Sequence, residues 1–166
     1  MHIHFLDSYR PRPSPIHRLD PRVKFISTLA FILATALTPV GAWPAYVLLV
    51  SLVLSVEVLS ELGVGYVFER ALLALPFVLT AVPVLFTVRG VPAVTVPLGS
   101  QALTITWAGI ERFASIALKS WLSVQMAVVL ATSTPFPDLL MAMRAVRLPR
   151  LMVAIVGLAW RYLFVM

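Results

Sequence analysis

The sequence predicts an all-α fold: a polytopic membrane helix bundle of about four spans, followed by amphipathic helices at the cytoplasmic surface. Three observations carry this reading. Hydrophobic residues fill 60% of the 166 positions and mean hydropathy is +0.96, well above the roughly 45–50% apolar content of a soluble domain. From Phe25 to Val56 no charged residue occurs, a run that as one helix would reach about 48 Å, too long for a hydrocarbon core of about 30 Å. The charges that do occur gather with prolines at the ends of the apolar runs.

The first such cluster is Met1 to Lys24, where Arg10, Arg12, Arg18, Arg22 and Lys24 are interspersed with Pro11, Pro13, Pro15 and Pro21. That composition cannot form a packed core, so residues 1–24 read as a cytoplasmic arm. A secretory signal is not expected, because a long polar, proline-rich stretch precedes the first apolar run. His2 and His4 form an H-x-H pair, with His17 later, but imidazoles on a flexible terminus hold a metal weakly and a solvated tail is the favoured reading. Asp20, Pro21, Arg22 and Lys24 supply a cap residue, a proline at the first helical position and basic side chains able to snorkel to headgroups.

Residues 25–133 form the transmembrane domain. Thr38-Pro39-Val40-Gly41 breaks the charge-free run into a helical hairpin. Each arm is short for an average bilayer, so Lys24 snorkels, Trp43 and Tyr46 sit near the far interface, or the bilayer thins. Glu57, Glu61, Glu69 and Arg70 mark the return to the first side, and the carboxylates read as solvated loop charges. Ala71 to Val88 is a third span in which Pro76 and Pro83 lie nearly on one face, close to Thr80 and Thr87. Backbone groups freed by proline need partners, so this face is expected to point at neighbouring helices. Gly90, Pro92, Pro97 and Gly99 with alternating β-branched residues make 89–106 an external extended hairpin. From Trp107 to about Thr132 runs a long helix. Its Glu111, Arg112, Ser115, Lys119 and Ser123 follow one side, either above the lipid or against a partner protein.

Residues 134–166 form a basic region of a different kind. The prolines of Thr134-Pro135-Phe136-Pro137 end the long helix, and Asp138 sits in a new first turn, where a carboxylate favours exposed amides. Leu139, Leu140, Met143 and Val146 recur at i, i+1, i+4 and i+7; Arg144 and Arg147 flank them and Pro149 stops the turn. This amphipathic helix of roughly 11 residues rises only about 16 Å, so it lies flat on the interface or docks on a partner. Leu151 to Met166 carries Arg161 and reads as a fifth span or a second interfacial helix. Nine Lys and Arg residues fall on the side of the arm and the basic helix, against Arg89, Arg112 and Lys119 on the other. The positive-inside bias then makes this a multi-pass protein of the inner membrane with a cytoplasmic N-terminus.

Several function classes lack their chemistry. The 13 Lys and Arg against 7 Asp and Glu give a net charge of +6, but no basic and aromatic interleaving of a nucleic-acid groove accompanies it, so no nucleic-acid partner is expected. The absence of cysteine removes disulfides, thiolate metal sites and cysteine nucleophiles. H-E-x-x-H, G-x-S-x-G and the phosphate-cradling loop are all missing, and no catalytic, cofactor or metal site is visible. The first three spans hold no ionisable residue at mid-membrane depth, which argues against an autonomous pump. A competing class is a membrane enzyme acting on a lipid or isoprenoid substrate at the cytoplasmic face, with Glu57, Glu61 and Glu69 as metal or acid–base groups. A third is an inert truncated membrane protein.

His17-Arg18-Leu19-Asp20-Pro21-Arg22-Val23-Lys24 before the first span, then Arg147-Leu148-Pro149-Arg150 and Trp160-Arg161-Tyr162, resemble the transmembrane T component of energy-coupling factor (ECF) transporters, in particular the cobalt-transport branch CbiQ. The likeness runs over essentially the whole chain in order and spacing. It implies a helical, non-enzymatic membrane scaffold paired with two cytoplasmic ATPase subunits and a substrate-binding membrane subunit, importing a micronutrient such as cobalt ions. Hydrolysis of ATP would belong to the partners. By the same resemblance Asp138 to Leu148 is part of a coupling region and Pro149 to Met166 begins a longer coupling helix. Asp138, Arg144, Arg147, Pro149, Arg150 and Arg161 are then the partner-coupling candidates, and Asp20, Pro21, Arg22 and Lys24 the N-terminal family motif. The family's Ala-Arg-Gly or Ala-Arg-Ser docking signatures do not occur in these residues, so the sequence is expected to be truncated at the C-terminus relative to full-length members.

Overall fold

The computed structural model describes residues 12–72, 75–98, 101–146 and 149–163; His2, His4, Arg10, Arg147 and Leu148 lie outside them. A single turn, α1 (Pro15–Arg18), is capped by Ser14, whose hydroxyl accepts the His17 N–H at 3.3 Å and sits 2.6 Å from His17 Nδ1. The first long helix, α2 (Pro21–Leu37), starts where the motif places it: the Asp20 carboxylate accepts the Arg22 N–H at 2.9 Å and Pro21 takes the first position. Both donors of Thr38 go back to the Ala34 carbonyl, at 3.1 and 2.8 Å, and close the helix. Pro39 to Gly41 then turn the chain into α3 (Trp43–Leu59). Gly41 has φ +84°, and a Cβ there would stand 2.6 Å from Glu111 Oε1.

Helix α2 is inverted relative to a water-soluble bundle, whereas α3 buries mainly apolar side chains with one carboxylate among them. The buried stripe of α2 is Lys24, Thr28, Phe31 and Thr35, and that of α3 is Tyr46, Leu49, Val53 and Glu57. Their outward positions include Leu29, Leu33 and Leu37, and Val47, Leu48, Leu54 and Val58, with Ser27, Ser51 and Ser55 exposed beside them. An outer surface this rich in apolar side chains suits a hydrocarbon solvent. The other half of the core comes from α7 (Trp107–Ser133), through Leu122, Gln125, Met126, Val129 and Thr132. At 27 residues α7 rises about 40 Å and can cross a bilayer alone; α2 and α3, at 17 each, stand near the lower limit.

Two lysines fix α2 antiparallel to α7. Lys24 Nζ, at the start of α2, donates to the Ser133 carbonyl at the end of α7 at 2.9 Å, and Lys119 Nζ, farther back on α7, donates to Ala36 near the end of α2 at 3.0 Å. Part of the polar stripe on α7 is thereby explained: Lys119 meets the end of α2, Glu111 meets the α2–α3 corner, and Ser115 is buried.

The expected third span, Ala71 to Val88, is not one helix. After α4 (Val64–Ala71) come α5 (Leu75–Thr80) and α6 (Val84–Thr87), separated by a turn at Ala81 to Pro83. Pro83 has no N–H to continue the ladder, and the chain tightens into bonds from Val82 to Leu79 and from Val84 to Ala81. Pro76, Thr80, Pro83 and Thr87 are exposed rather than turned toward neighbouring helices. The Pro83 carbonyl is filled within its own turn, by the Phe86 and Thr87 N–H groups at 3.1 Å and by the Thr87 hydroxyl at 2.8 Å.

The expected hairpin is present. Strand β1 (Pro92–Leu98) pairs antiparallel with β2 (Gln101–Thr106), from Leu98 opposite Gln101 to Pro92 opposite Thr106, with an irregularity between Pro92 and Val94. Thr106 joins it to α7: its hydroxyl donates to the Val88 carbonyl at 2.7 Å and accepts the Gly109 N–H at 3.1 Å. Gly109 lets α6 lie against α7, since a Cβ would stand 2.7 Å from the Leu85 carbonyl oxygen. Gly109→Ala is expected to cost about 1–3 kcal/mol by overpacking, read as a lowered melting temperature in detergent; an unchanged midpoint would refute the close approach.

Candidate functional site

The end of the molecule where α2 begins and α7 finishes gathers Asp20, Pro21, Lys24 and Asp138. Thr134 leaves α7 in an extended conformation, Pro135 prevents continuation, and α8 (Phe136–Ala145) starts with Asp138 in its first turn. The last carbonyls of α7 therefore lack intrahelical donors. Lys24 supplies one, placing a cation at the negative end of the helix dipole. It is 7% exposed, with its charge sensed by Asp138 and Asp20 but in direct ion-pair contact with neither among the described residues. The expectation that Lys24 snorkels to headgroups is thus corrected, because a free carbonyl inside the bundle gives the ammonium a nearer partner. Tyr46 is buried, and its hydroxyl donates to the Pro39 carbonyl at 3.3 Å, while Trp43 is exposed.

The motif residues divide by role. Asp20 caps α2, Pro21 fits its first turn, Arg22 projects outward, and Lys24 turns inward. Asp138 comes close to this group; Arg144, Arg150 and Arg161 do not. Arg144 lies exposed in the last turn of α8, Arg150 opens α9 (Arg150–Leu163), and Arg161 lies exposed in its last turn. The carbonyl of Pro149 accepts the Met152 and Val153 N–H groups in the first turn of α9.

Helix α8 packs along α2 and buries Ala142, with Leu139, Leu140 and Met143 half-buried around it. Val146, expected in the same stripe, is exposed because the helix ends at Ala145. Helix α9 folds onto α8 through Val153, Gly157 against Leu140, and Phe136 stacked on Trp160 with ring centroids 4.0 Å apart at 11°. Its remaining face, Leu151, Met152, Ile155, Leu158 and Tyr162, is exposed and apolar.

Glu57 also overturns its sequence reading as a solvated charge. It is fully buried and neither carboxylate oxygen has a hydrogen-bond partner, whereas Glu61 and Glu69 are exposed. Its spacing of four from Val53 on the buried stripe of α3 was the available signal. Among the described residues no three His, Asp or Glu side chains converge to hold a metal, so Glu57, Glu61 and Glu69 are not gathered into a metal site there.

A helical bundle with large apolar side chains on its outer surface, ending in paired amphipathic helices, defines an all-α membrane protein. The CbiQ family, described as cobalt transport protein, matches residues 12–166, and the chain belongs to that family. It is also 32% identical over 133 residues to the energy-coupling factor transporter transmembrane protein EcfT of Heliobacterium modesticaldum, covering 78% of this chain and 47% of that protein. The chain thus spans about half the length of that relative.

Because Glu57 carries an uncompensated desolvation cost, Glu57→Leu is expected to stabilise the isolated chain by about 1–3 kcal/mol. A melt in detergent checks it, and a lowered midpoint would reveal a polar partner for the carboxylate.

Proposed function

We propose that this chain is the transmembrane coupling subunit of an ATP-driven ECF-type importer of cobalt ions, non-enzymatic in itself. It works with two cytoplasmic ATPase subunits and a substrate-binding membrane subunit, and it is a multi-pass inner-membrane protein with a cytoplasmic N-terminus. Supporting the reading are membership of the CbiQ family and likeness to a protein named as an ECF transporter transmembrane component.

The observation that carries it is the α8–α9 pair. It is tied to the bundle through α2, yet presents two unlike surfaces: exposed Arg144, Arg150 and Arg161, and the open apolar face of α9. Basic side chains suit an acidic cytoplasmic partner, and an amphipathic helix presents its apolar face to a hydrophobic groove. In this role Asp138, Arg144, Arg147, Pro149, Arg150 and Arg161 belong to the coupling region. Asp20, Pro21, Arg22 and Lys24 fix its base.

Affinity purification of the native protein from its own membranes is expected to bring down two ATP-hydrolysing subunits and a small membrane protein; recovery of neither overturns the assignment. Within the assembled transporter, Arg144→Glu is expected to lower cobalt uptake by about tenfold with normal membrane insertion. Uptake at the unsubstituted rate would remove Arg144 from the coupling surface.

A further inference from the structure

A cavity of about 450 Å³ lies between α2, α3 and α7, within the roughly 300–1,000 Å³ typical of pockets for small organic ligands. Its polar residues are not scattered. Lys24, Ser27 and Thr28 from the start of α2 and Ser133 from the end of α7 form one end, and Ala30, Phe31, Leu49, Leu52, Met126 and Leu130 continue as an apolar shaft toward the opposite end.

The ammonium of Lys24 is the decisive group. An ammonium has three donors, and the Ser133 carbonyl takes one, with no carboxylate in contact among the described residues. The side chain is more than nine-tenths buried and lines the cavity. A buried cation with spare donors calls for an anion. Apolar walls on helices whose outer faces meet hydrocarbon call for an alkyl chain.

We infer that this cavity is a binding site for an anionic phospholipid of the leaflet next to the basic end, its phosphate at Lys24 and one acyl chain in the shaft. The orientation agrees with the depth of the site, since a lipid of that leaflet places its headgroup where α2 begins and its chain toward the bilayer centre. Basic pockets between transmembrane helices bind acidic headgroups in this way. The lipid would also fill space between α2 and α3 that the chain leaves empty, a role separate from coupling and from the transported ion.

Native mass spectrometry of the full chain, released from vesicles of equal phosphatidylglycerol and phosphatidylethanolamine, tests the site. The unsubstituted chain is expected to retain phosphatidylglycerol over phosphatidylethanolamine by about tenfold. Lys24→Gln should equalise the two lipids. Ala30→Phe fills the shaft from an exposed backbone position and leaves the Lys24 bond intact, so it should abolish retention of both without lowering the melting temperature. Equal retention by the unsubstituted chain, or undiminished phosphatidylglycerol in Ala30→Phe, overturns the assignment, and the second result decides even if Lys24→Gln fails to fold. Because neither ATPase nor cobalt enters the measurement, its failure would leave the transport reading untouched.

Discussion

A helix that ends among apolar side chains leaves carbonyls without donors, and a lysine drawn into the same surroundings has a charge without a partner. At the start of α2 each need meets the other, through the bond from Lys24 to Ser133. The same solution recurs at the opposite end of α2, where Lys119 donates to Ala36. Each cation sits at the negative end of a helix dipole. Together the two bonds set the antiparallel α2–α7 pair in register, and the remaining elements are hung on that frame. Helix α3 packs through Leu49 and Val53, α6 and the hairpin meet the first turns of α7, and α8 follows from its last.

The outer surface of this chain is rich in large apolar side chains, as a hydrocarbon solvent favours, and its core mixes apolar clusters with buried polar groups. Hydrogen bonds and shape, more than apolar area, must then hold the helices together, since lipid is as apolar as leucine. This explains why so many inward positions are hydroxyls bonded to their own helix, as with Thr35 to Phe31 and Thr132 to Val128. Such residues are narrow and satisfied locally, so helices approach closely without stranded polar groups. The hydroxyls of Ser115 and Thr134 are exceptions, and Glu57 is the costliest one, buried with both carboxylate oxygens unpartnered. Its cost is borne by the apolar packing around it, including the cluster of Leu62, Val67 and Val129 at the same end of α3.

Much of this was legible in the residues because it depended on local chemistry. The Asp20-Pro21 start, the Thr38 to Gly41 corner, the extended hairpin and the restart of helix at Asp138 all follow from caps, prolines and alternation. What was not legible depended on who stands opposite. Lys24 reads as an interfacial lysine until the end of α7 is placed beside it. Glu57 reads as a loop charge until α3 is seen to run three residues past the last apolar position before it and onto its buried stripe. The third span failed for a related reason: Pro83 permits either a kink or a break, and the carbonyl its missing N–H would leave open, that of Leu79, takes the Val82 N–H of a tightened turn instead.

The same distinction between directional and non-directional contacts bears on the proposed coupling role. The stacked rings of Phe136 and Trp160 and the approach of Leu140 to Gly157 join α8 to α9 over a broad apolar seam. Ala142 lets α8 lie close to α2, and small residues permit sliding where large ones would interlock. A hydrogen bond does not slide, because its strength falls steeply with angle. A push delivered to α9 would therefore move α8 along α2 while the end of α7 stays held at Lys24. In the proposed role, the Thr134-Pro135 joint between Ser133 and Phe136, whose backbone is extended, would be where α8 turns relative to α7.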